Sequence, residues 1–100
     1  MTRYVLLSKY SNSEKDELNF ARKFEQSHRQ SVKNFPNAKF LERGYLKNSS
    51  EYIDIFETSD DNIPAKISLK FLEDGAQKAI IWSESIVKDY ISEKNFVVFH

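Results

Sequence analysis

Apolar and polar residues alternate with two different periods along this chain, and the changes of period divide it into elements. Tyr4 to Tyr10 is a short aromatic and aliphatic run with β preference, and Ser11-Asn12-Ser13 follows with turn and cap chemistry, so a strand is predicted first. Ser13 suits a helix N-cap. The acidic turn Glu14, Asp16 and Glu17 suits the positive end of a helix dipole, with Asp16 at capping-box spacing. Leu18, Ala21, Phe24, His28, Val32 and Phe35 then recur at steps of three and four, which predicts one helix face turned to a core. The helix should end near Asn34, because Phe35 precedes Pro36 and is pushed out of α geometry.

Two strand-like runs, Lys39 to Lys47 and Glu51 to Thr58, flank Asn48-Ser49-Ser50 and predict an antiparallel hairpin. In the second run Ile53 and Ile55 share one face while Tyr52, Asp54 and Phe56 share the other. Both faces carry apolar weight, so something must cover each. After a polar break from Thr58 to Asn62, Ile63 to Asp74 supports two readings. Pro64 in a first turn and Gly75 at a left-handed C-cap position favour a helix. The alternation in Lys66-Ile67-Ser68-Leu69-Lys70-Phe71, closed by Asp74-Gly75, favours a strand and a hairpin turn. Lys78 to Val87 reads as a strand with Ile80, Trp82, Glu84 and Ile86 on one side, and Phe96-Val97-Val98-Phe99 as a short edge strand.

With the helical reading the order is βαββαβ: an α+β fold, ferredoxin-like, over residues 1–100 as one domain. With the strand reading it becomes a single helix wrapped by an antiparallel meander in the cystatin-like manner. Composition changes this picture little but excludes much. Fifteen basic and fifteen acidic residues give zero formal net charge, so no global field favours nucleic acid or an anionic membrane. A hydrophobic content of 40% with two Gly and two Pro describes a chain that buries a core. The absence of cysteine removes disulfides, thiolate nucleophiles and Cys-ligated metals. The apolar run after Arg3 ends at Leu7, too short for a signal h-region, and no stretch reaches the ~20 apolar residues of a membrane span. The cytoplasm is therefore the default location.

The opening Tyr4-Val5-Leu6-Leu7-Ser8-Lys9-Tyr10, with Gly44-Tyr45-Leu46 in the second strand and Glu51-Tyr52-Ile53-Asp54-Ile55 in the third, resembles the dimeric α/β-barrel group and, within it, the GYD-domain family. Ser50 stands where that family has Gly, and Ile53 separates Tyr52 from Asp54. The resemblance implies a four-stranded antiparallel sheet in the order 4-1-3-2, with two helices on one face. It also implies a homodimer made by pairing the open sheet faces, and a cavity for an apolar or aromatic small molecule, with or without cofactor-free chemistry. Tyr52, Asp54, Trp82 and Glu84 would line that ligand-binding site.

Asp54, between two isoleucines, is a candidate general base or polar anchor, if burial raises its pKa; pairing with Arg43 on the adjacent strand, or reaching water, is the plainer account. Glu84 would lie two strand spacings from it, roughly 9 to 10 Å, which is too far for a shared proton. His28, the only internal histidine, is a candidate for acid–base work, but it sits mid-face on the first helix and reads first as a core histidine; with His100 it makes no metal set, so no metal and no cofactor are expected. Arg22, Lys23, Arg29 and Lys33 are diluted by Glu25 and read as a solvated surface. Tyr45, Tyr52, Phe56 and Trp82 read as core or dimer contacts before they read as a ligand cavity. The competing functional class is a non-catalytic protein-interaction or inhibitor/immunity-type module. It rests on the meander, whose edges would offer pairing groups to a protein partner if the chain is monomeric.

Overall fold

The strand predicted at the start of the chain forms. In the computed structural model, which describes residues 1–10 and 17–100, β1 spans Thr2–Lys9 and α1 spans Glu17–Asn34. The expected Ser13 cap and the acidic residues Glu14 and Asp16 lie outside the described residues, and α1 stops where Pro36 forbids its continuation. The hairpin follows as β2 (Lys39–Leu46) and β3 (Glu51–Thr58). Next come α2 (Ile63–Glu73), β4 (Lys78–Ser83), α3 (Glu84–Glu93) and β5 (Phe96–Val98). The strands join into one antiparallel sheet in the order β4-β1-β3-β2-β5. The fold is thus α+β; among the described residues the four strands and two helices of the ferredoxin-like expectation are joined by a third helix, α3, and by β5, the edge strand read at Phe96–Phe99.

Residues 63–74 are settled as a helix, and the cystatin-like meander is overturned. Ile63, Ile67 and Phe71 recur every four residues and are buried, whereas Leu69, essential to the strand alternation, is exposed. Gly75 ends the helix at φ +112°, where its N–H donates to Leu72 O at 3.2 Å and the Ala76 N–H to Phe71 O at 3.1 Å. This paired closure needs a left-handed residue, which glycine supplies without steric cost.

The strand expected over Lys78 to Val87 is corrected to two elements. Ser83 is the last extended residue, and the chain then coils so that Val87 and Ile91, one helical turn apart, press on the sheet. Glu84 therefore opens α3 instead of lying on a strand. The face expected of α1 also shifts: Phe24, Ser27 and Ser31 are buried, while Leu18 and Val32 are exposed. This rotation brings Ser27 Oγ to donate to Asp74 Oδ2 at 2.9 Å.

Three layers result. Under α1 and α2 lies an aromatic core of Tyr10, Phe24, Tyr52, Phe56 and Phe71 with Leu6 and Ile67. On the opposite face Val5, Leu7, Leu46, Ile53 and Ile55 are covered by α3 through Val87 and Ile91. That face is not bare, because the segment after β4 folds back over it. Beyond α3, Asn95 turns the chain at φ +58° and β5 pairs with Gly44–Leu46. Gly44 permits the approach, since a Cβ there would lie 2.0 Å from Val97 O.

Candidate functional site

Register decides which of the expected site residues meet. Leu6 pairs with both Asp54 and Ile81, and Val5 with both Ile55 and Trp82. Side chains alternate across a strand, so Asp54 shares its face with Leu6 and Ile81, whereas Trp82 shares the other with Val5 and Ile55. The four expected ligand-binding residues therefore do not form one set. Tyr52 and Asp54 lie beneath α1, Trp82 lies on the α3 side, and Glu84 pairs with Arg3 at 3.7 Å.

Tyr52 is buried in a ring cluster, 4.9 Å from Phe24 and 5.0 Å from Tyr45. Asp54 is fully buried, and its Oδ2 lies 2.6 Å from His28 Nδ1. Burial pushes the Asp54 carboxyl up to about 6, against the opposing pull of His28 and Arg43. Its second oxygen, Oδ1, is buried without a hydrogen-bond partner. Arg43 is the cross-strand neighbour of Asp54, as the pairing account required, but its guanidinium turns to Glu25 of α1: Nε donates to Oε1 at 2.7 Å and Nη2 to Oε2 at 3.1 Å. That bonding raises the Arg43 pKa. His28, read from the sequence as core, is thus the hydrogen-bonding partner of Asp54, a pairing that the pattern alone did not show. Its only signal was a polar ring in the middle of the face that packs on the sheet.

Polar groups continue along this layer. Ser8 Oγ, Tyr10 Oη and Ser31 Oγ are buried without partners, and burial pushes the Tyr10 phenol well up. His28 itself lines a cavity of about 200 Å³ with Phe40 and Arg43.

A second concavity lies on the other face, between β4 and α3. It measures about 340 Å³, and Leu7, Ile80, Trp82, Ile86 and Val87 form its apolar walls. At one end the buried Glu51 accepts a hydrogen bond from the Tyr90 hydroxyl and faces Lys78 Nζ at 3.9 Å. The bond to Glu51 raises the Tyr90 pKa. Trp82 is 40% exposed and Ile86 68% exposed, so this groove opens to solvent through an apolar rim. Among the described residues no three His, Asp or Glu side chains gather as a metal-binding group, and no helix is long and apolar enough to cross a membrane. No protein-family model, curated protein or solved structure matches this chain.

Proposed function

We propose that this protein, a ferredoxin-like relative of the dimeric α/β-barrel type, binds a small apolar or aromatic molecule in the groove between β4 and α3, and that it does so as a homodimer whose contact differs from the bare-sheet pairing of that group. The first six elements and the β4-β1-β3-β2 order support the ferredoxin-like part of this reading. The observation that carries the ligand is the groove itself. Its volume of about 340 Å³ falls within the range of roughly 300–1,000 Å³ usual for ligand pockets, and its walls are apolar with polar groups gathered at one end. An aromatic body would lie along Trp82 and Ile86, with a polar end toward Glu51, Lys78 and Tyr90. In this dimer the partner copy packs on the exposed strip of Trp82, Ile86 and Tyr90, because α3 already occupies the sheet face that bare-sheet pairing would use.

Trp82 is the sole tryptophan, so its fluorescence reports the groove directly. Titration with indole, with a phenylalkylamine and with a phenylalkanoate should give a saturable change in emission for at least one probe. Ile86→Asp, a change at an exposed position, should abolish it. Light scattering across a dilution series should find a species near twice 11.8 kDa. A monomer at all concentrations removes the dimer and turns the search to a protein partner. An unresponsive Trp82 removes the ligand.

A further inference from the structure

His28 is held more tightly than a packing role requires. Asp54 fixes Nδ1 at 2.6 Å, Phe40 meets the ring edge-on at 5.3 Å, and Phe24 stacks near it at 6.5 Å. The carboxylate selects the tautomer that donates from Nδ1, which leaves a lone pair on Nε2. Among the described residues Nε2 has no hydrogen-bond partner, and the ring lines the cavity of about 200 Å³ whose apolar wall is Val32, Ala38, Phe40 and Leu41. Arg43 borders the same cavity. Its Nε and Nη2 are engaged by Glu25, and Nη1 has no partner among the described residues. A base oriented by a buried carboxylate and a cation therefore border one small space, which the exposed Glu42 also lines.

We infer that His28 and Asp54 form a proton-transfer site, separate from the groove, for a small carbonyl compound bearing an acidic C–H bond. In the first step that C–H bond breaks and its proton moves to Nε2. The electron pair becomes the C=C bond of an enolate, whose oxygen carries the charge toward Arg43. Return of the proton, to the same carbon or to another atom of the enolate, regenerates neutral His28 and completes an exchange or a tautomerisation. No oxidant or cofactor enters this balance. Among the described residues no hydroxyl donates to His28, so the site holds no activated nucleophile for acyl transfer. The cavity corresponds to about seven water molecules at liquid density, which limits the substrate to a few carbon atoms. Asp54 is a positioning residue: it acts on the substrate only through His28.

The test is deuterium exchange of 2-oxobutanoate and of acetylacetone in D2O, followed by loss of the α-proton signals in NMR spectra. The wild-type protein should accelerate exchange of at least one probe over buffer, and His28→Gln should reduce the rate by about 100-fold or more, the usual contribution of a positioned base. Lys66→Ala, at an exposed position of α2, should leave it unchanged, and because exchange is read without Trp82 fluorescence, this site and the proposed ligand groove stand or fall separately. Asp54→Asn should lower the rate and move the His28 proton from Nδ1 to Nε2, read from imidazole nitrogen shifts. A merely structural Asp54 would not change that tautomer pattern. Diethyl pyrocarbonate should modify His28 at Nε2 in the folded protein, which checks access without any substrate. Exchange of both probes at the buffer rate, an undiminished rate in His28→Gln, or an unreactive Nε2 overturns the inference.

Discussion

The two faces of the central sheet are both buried, yet they are built from different materials. The α3 side is aliphatic: Val5, Leu7, Leu46, Ile53, Ile55, Val87 and Ile91 interdigitate there. The side under α1 and α2 is aromatic and carries Ser8, Tyr10, Ser31 and Asp54, each with a buried polar atom that lacks a partner. An unpartnered buried polar group costs about 1–3 kcal/mol, whereas alkyl burial stabilises without any directional requirement. The aromatic face therefore gives up some stability to hold its polar groups, whereas aliphatic packing on the α3 side is interrupted where Glu51, Lys78 and Tyr90 meet at the end of the groove. The only large solvent-facing apolar residue on strand β4, Trp82, belongs to the aliphatic side. The groove and the proton-transfer pair thus lie on opposite faces of one sheet.

Substitutions can break or sharpen this contrast. The largest effect is expected from Phe24→Ala, because Phe24 is fully buried and meets Tyr52, Phe71 and Phe99. Urea denaturation should show a loss of about 3–5 kcal/mol, against about 0.5–1.5 kcal/mol for Ile53→Val on the aliphatic face. His28→Leu comes next, since it leaves the Asp54 carboxyl buried without its partner, a loss of about 3 kcal/mol. Adding Asp54→Leu should restore most of that loss. A double variant no more stable than the single one would mean that the polar pair is not a cost to the fold.

Gly44→Ala should remove about 1–3 kcal/mol through overpacking. Amide exchange should rise first in residues 96–99, because the new methyl meets Val97 O. The smallest effect is the pH dependence of Asp54. Its folded pKa of about 6 lies above the ordinary 3.8, so the folded state binds the proton more tightly than the unfolded chain. Its contribution is fully present below about pH 4 and is lost as pH rises through 6. Thermal melts from pH 7 to pH 4 should therefore show wild type gaining on Asp54→Asn, and parallel curves would contradict the raised pKa. The titratable and charged groups facing Asp54 are His28 and Glu25 on α1 and Arg43 on β2, and the same series with Glu25→Gln isolates the share of Glu25.

What could be read along the chain alone were the elements whose signals are local. Pro36 ends α1, the Asn48-Ser49-Ser50 loop joins β2 to β3, and Pro64 with Gly75 brackets α2. Each depends on backbone sterics within a few residues, so no distant contact is needed. The α3 helix was hidden because Ile80, Trp82, Glu84 and Ile86 continue a two-residue alternation through the strand end. The spacing of Ile86, Val87, Tyr90 and Ile91 was the helical signal that could have revealed it.

Asp54 was legible as a buried carboxylate in an apolar strand, but its partner was not. His28 stands 26 residues away, and the two meet only because α1 crosses back over β3. Likewise, the pairing of β1 with β4 decided whether Trp82 joins Asp54 or Ile55, and a slip of one residue would have reversed it. Composition, periodicity and turn chemistry determined the α+β class and most element boundaries of this protein. The layering of α3, the register that separates Trp82 from Asp54, and the His28–Asp54 pair were decided by tertiary structure, because each depends on which distant surfaces bury one another.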